Sequence, residues 1–96
     1  MYYDNLEGLP IDWNPYSRNE SAGRMAYVEA ESLYGKGQLE KARAKYKIAR
    51  DRYMSCANFL RAYKQGENPD INRNIKRAED GIAKCQSRIS SQSRVV

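Results

Sequence analysis

The sequence predicts an all-α protein, an antiparallel three-helix bundle preceded by an extended N-terminal arm, and three observations carry that prediction. Apolar residues at Leu39, Ala42, Tyr46, Ala49, Tyr53, Cys56, Leu60 and Tyr63 recur in alternating steps of three and four, which keeps all eight on one face of a helix. A second seam at Ile71, Ile75, Ala78, Ile82, Cys85 and Ile89 follows the same rule. Between the seams, Lys64 to Asp70 places Gly66 after one helix, Asn68 as the cap of the next, Pro69 in its first turn and Asp70 against its dipole. These residues describe a hairpin of two long helices.

The chain has 96 residues, enough for one domain that buries somewhat over ~60% of its unfolded surface without help from metals or disulfides. Residues 1 to 16 read as the arm. Pro10 and Pro15 interrupt any long helix there, and Leu6, Leu9, Ile11, Trp13 and Tyr16 show no helical period. Together with Tyr2 and Tyr3 these apolar groups favour leaving water, either over the bundle or on a partner, where Trp and Tyr make good anchors. Ser17-Arg18-Asn19-Glu20 fits a capping box, so a first helix is expected over about 18 to 35, with Ala26, Ala30 and Leu33 inward and Tyr27 and Tyr34 beside them. Met25 and Val28 point elsewhere, available for the arm or a ligand. Gly35 and Gly37 supply the left-handed conformations of a tight turn.

The second and third helices are expected over about 38 to 65 and 69 to 91. Gly81 interrupts the third at a cost of about 1 kcal/mol relative to Ala and marks either a close backbone approach or simple tolerance. Residues 92 to 96 form a polar tail expected to fray. Cys56 and Cys85 lie on the seams as small hydrophobes. Pairing the helices around the hairpin leaves Cys85 about six residues from the level of Cys56, roughly 9 Å, which exceeds the reach of a disulfide.

The net charge of +5 is unevenly spread. Residues 1 to 31 hold six acids and two bases, and residues 32 to 96 hold six acids and fifteen bases, so the two parts carry −4 and +9. The hairpin is the basic part, through Lys41, Arg43, Lys45, Lys47, Arg50 and Arg52 on the second helix and Arg73, Lys76, Arg77, Lys84 and Arg88 on the third.

Chemistry finds little to work with. The chain has no His, Glu29 and Glu31 are two apart and diverge on a helix, and Gly35-x-Gly37 follows a helix rather than a strand. No metal or cofactor is expected, and no catalysis. Two function classes remain. One is a protein-binding module in which Tyr2, Tyr3, Leu9, Trp13, Met25 and Val28 anchor a partner and the basic faces select an acidic surface, with self-association included. The other is sequence-independent binding of nucleic acid or another polyanion by the basic hairpin, as in some small viral or mobile-element proteins. Without a signal peptide or a long apolar run, an intracellular, soluble protein with no membrane partner is expected.

Leu33-Tyr34-Gly35-Lys36-Gly37-Gln38-Leu39-Glu40-Lys41-Ala42, followed by Tyr46 and Ala49, resembles the core of a tetratricopeptide repeat, with Ala30 at the small position of its first helix. The second helix is too long for that family and no further repeat follows. Three helices with this turn and an Asn-Pro hairpin look more like the microtubule-interacting-and-trafficking domain. Both families bind short peptides between helices, so the resemblance implies a protein-binding module carried on packing residues.

Overall fold

A computed structural model describes residues 13–62 and 69–93 of the chain. It is a bundle of three helices, α1 (Asn14–Gly35), α2 (Leu39–Arg61) and α3 (Pro69–Ser93), with α2 in the centre. Both outer helices pack along α2, and they touch each other far less. Because α2 runs antiparallel to each, α1 and α3 are parallel.

Most of the expected seam residues form the core, while Leu39, Tyr53 and Ile82 are half-buried and Tyr63 lies outside the described residues. Ala42, Tyr46, Ala49, Cys56 and Leu60 of α2 are buried, and so are Ile71, Ile75, Ala78, Cys85 and Ile89 of α3. From α1 come Ala26 and Ala30, whose small side chains admit the ring of Tyr46. Ala57 joins the core although it lies off the expected stripe, since it faces α3 beside Cys56 and Ala78. Both cysteines are free and buried, and burial pushes each thiol up to about 11. They are inert filler at neutral pH.

Three helix boundaries differ from expectation, and one of them is the end of α2, which stops at Arg61 with Ala62 as its C-cap rather than near residue 65. Helix α1 begins at Asn14, not near Ser17, with Pro15 in its first turn, where a missing N–H costs no helical hydrogen bond. The first helical bond runs from Ser17 N–H to the carbonyl of Trp13 at 2.8 Å, so Ser17 and Glu20 lie inside the helix and the capping box is not used. The α1–α2 turn needs one left-handed residue rather than two. Gly37 has φ 78°, whereas Gly35 is the last residue of α1. Gly37 N–H reaches the Tyr34 carbonyl and Gln38 N–H the Leu33 carbonyl, both at 3.0 Å, which satisfies the carbonyls at the end of α1 in a Schellman arrangement. Helix α3 starts at Pro69 and continues to Ser93, two residues past the expected end, and the hairpin residues before Pro69 lie outside the described ones.

Candidate binding groove

Helices α1 and α3 are bridged by side chains at two levels. Near the start of α1, the Tyr16 hydroxyl donates to Asn74 Oδ1 at 3.2 Å. Near its end, Arg88 Nε lies 3.3 Å from Glu31 Oε2. The pairs differ by 58 and 57 in number, so the two helices run in register. Between the bridges lies a groove of about 360 Å³.

Its floor is α2, through Tyr53 and Cys56. Tyr53 stands between two helical glycines. A Cβ built on Gly23 of α1 would come 3.1 Å from Tyr53 Cε1, and one built on Gly81 of α3 would come 2.8 Å from Tyr53 Cδ2. The absent side chains make room for the ring, which resolves Gly81 as a close approach. The Tyr53 hydroxyl makes no hydrogen bond among the described residues, and burial raises its pKa, so it is a neutral polar group at neutral pH.

The walls are chemically unlike. On α1, Tyr16, Glu20 and Tyr27 line the groove, and Glu20 is neutralised by Arg24 one turn on, at 3.0 Å. On α3, Arg77, Asp80 and Lys84 follow one another beside Ala78 and Gly81. None of those three charged groups has an ion-pair partner among the described residues.

The upper bridge belongs to a wider cluster around Glu31. Its carboxylate accepts from the hydroxyl of buried Tyr46, from the Tyr27 hydroxyl at 3.1 Å and from Arg88, whose guanidinium also lies 4.3 Å from the centre of the Tyr34 ring. The Tyr46 hydrogen bond leads in lowering the Glu31 pKa, and burial leads in raising that of Tyr46. Glu31 of α1, Tyr46 of α2 and Arg88 of α3 thus tie the three helices together.

The expected anchors do not come together here. Tyr2, Tyr3 and Leu9 lie outside the described residues. Trp13 is half-buried at the base of the bundle, edge-on to Tyr16 at 5.4 Å and packed against the Leu60, Ile71 and Ile75 cluster. Met25 and Val28, 65% and 61% exposed, lie on α1 away from the groove lining. The eleven bases occupy several sides of the molecule. Lys45 pairs with Glu29 and Arg52 donates to Asn19 on α1, Arg88 pairs with Glu31, Arg50 pairs with Asp51, and Arg73 pairs with Asp70. Arg43 is half-buried, Arg77 and Lys84 line the groove, and Lys41, Lys47 and Lys76 are exposed.

Tyr16, Glu20, Tyr27, Tyr53 and Asp80 were not among the expected site residues. The available signal was the pair of glycines inside helical runs, Gly23 and Gly81. Among the described residues no cluster of three or more metal-ligating side chains occurs, and no helix is long and apolar enough to cross a membrane. Compared with family models, curated proteins and solved structures, the chain matches none.

Proposed function

We propose that this chain is a non-catalytic protein-interaction module, an adaptor, assembly or inhibitor protein, that receives a peptide segment in the groove between α1 and α3. The observation that carries the reading is that the outer helices touch each other far less than either touches α2, leaving an aromatic-floored groove whose α3 wall carries charges without ion-pair partners among the described residues. Its volume falls in the range of sites that hold a small ligand or a few side chains, about 300–1,000 Å³. The tetratricopeptide-like turn and packing residues support the same class of function.

Peptides selected from a random displayed library against the full chain test this. Selected peptides are expected to bind at micromolar Kd, to lose binding on Arg77→Glu or Lys84→Glu, and to keep it on Lys41→Glu. Binding indifferent to the groove substitutions would refute the reading.

A second reading, polyanion binding, draws on the absence of ion pairs at Lys41, Lys47, Lys76, Arg77 and Lys84 among the described residues. Titration with mixed-sequence duplex and single-stranded nucleic acid at low and near-physiological salt discriminates the two. Micromolar affinity that falls steeply with salt supports the polyanion reading, and no binding at low salt removes it.

A further inference from the structure

We propose that the groove recognises a phosphorylated side chain on a partner protein's peptide, held by Arg77 and Lys84 of α3 and the hydroxyl of Tyr53. The inference rests on the reading of the groove as a peptide site and names the chemical group it selects.

Gly81 sets the geometry. Arg77 lies four residues before it and Lys84 three after, so both are its neighbours on the helix surface, about 5–6 Å away. The surface of α3 between the two bases is bare at Gly81, and their long side chains span it from either end. Beneath, the Tyr53 ring passes between Gly81 and Gly23 and lies against both, since a Cβ built on either would come within 2.8 or 3.1 Å of it. Its hydroxyl, at the tip of the ring, stands in the groove below the gap between Arg77 and Lys84.

All three donors are uncommitted among the described residues. Arg77 and Lys84 have no ion-pair partner there, and the Tyr53 hydroxyl makes no hydrogen bond. The other two phenols of the groove are engaged, Tyr16 with Asn74 and Tyr27 with Glu31. Burial raises the Tyr53 pKa, so the phenol keeps its proton to donate. Two positive charges and three donor groups match a phosphoryl group, which at neutral pH carries about −1.5 to −2 charges on three acceptor oxygens. A carboxylate, with a single charge, would leave one base unanswered. Two acids also line the groove and oppose an anion. Glu20 is offset by Arg24 at 3.0 Å, and Asp80, next to Gly81 in sequence, lies about 100° round the helix from it and flanks the site.

Three degenerate peptide mixtures, identical except for a central phosphoserine, glutamate or serine, test the proposal when passed over the immobilised full chain at near-physiological salt. The phosphoserine mixture is expected to be retained about tenfold more strongly than the serine mixture and about threefold more strongly than the glutamate one. Arg77→Gln and Lys84→Gln should each lower that retention about fivefold, and Tyr53→Phe, which keeps the ring between the glycines, about threefold, all with unchanged circular dichroism. Asp80→Asn should raise it, and Lys41→Gln should leave it as it is. Equal retention of the phosphoserine and glutamate mixtures, or a loss on Lys41→Gln as large as on Lys84→Gln, overturns the proposal. Retention abolished by a mixed-sequence oligonucleotide at equal phosphate concentration assigns the site to a nucleic-acid backbone and overturns it too. If the serine and phosphoserine mixtures are retained alike and both are lost on Lys84→Gln, phosphoryl recognition falls and the peptide-binding reading survives, and if no mixture is retained both fall.

Discussion

Gly81 shows how one missing carbon shapes this protein. Alanine there gains about 1 kcal/mol of helix propensity, but its Cβ would sit 2.8 Å from the Tyr53 ring, and overpacking of this kind costs about 1–3 kcal/mol. Gly81→Ala is therefore expected to destabilise the folded chain by up to about 2 kcal/mol in urea denaturation. In a Tyr53→Ala background only the propensity remains, and the same change should stabilise by about 1 kcal/mol. A double-mutant cycle without this reversal would show that the ring is free to move aside.

Glu31 makes the other residue-level prediction. Its pKa is lowered, first by the hydrogen bond from Tyr46, below the ordinary value of 4.5. A carboxylate depressed on folding contributes stability that is present above its unfolded pKa and lost as pH falls through the folded one. Stability should thus decline below about pH 4.5, and Glu31→Gln should flatten that decline and lower stability at pH 7 by about 1–3 kcal/mol. Thermal melts between pH 3 and 7 check both signs. An unchanged acid slope in the variant would assign the decline to other carboxylates.

Among the elements, the α1–α2 connection has the strictest local requirement. Gly37 alone has a positive φ among the described residues, and an L-residue with a side chain pays about 1–2 kcal/mol there. Gly37→Ala should cost that amount, whereas Gly35→Ala, in a helical conformation with open space around its Cα, should be neutral or stabilising. Comparison of the two midpoints in urea separates a turn requirement from a general preference for glycine. Helices α2 and α3 were legible in their seams because each buries one main apolar stripe, α3 against α2 and α2 against both neighbours. The start of α1 was less legible, since Pro15 reads as a breaker in sequence yet occupies the one helical turn that tolerates it.

For the whole molecule, Trp13 closes the base where the three helices meet. Its packing on the Leu60, Ile71 and Ile75 cluster predicts that Trp13→Ala lowers stability by about 2 kcal/mol, which in a domain of this size lowers Tm by roughly 10 °C. Circular dichroism melts measure it. An unchanged Tm would mean that the indole contributes no net stability at this contact.

The three helices, the all-α class and the inward faces follow from the sequence by itself, because burial on one side of a helix repeats every three or four residues and is visible in any short window. The groove does not. It depends on α1 and α3 standing side by side at matching heights, and Tyr16 meets Asn74, and Glu31 meets Arg88, only once both helices have packed on α2. Nothing local specifies a contact between residues 57 or 58 positions apart. Gly23 and Gly81 were visible as glycines, but only the tertiary structure shows that one tyrosine ring fills the space both leave open.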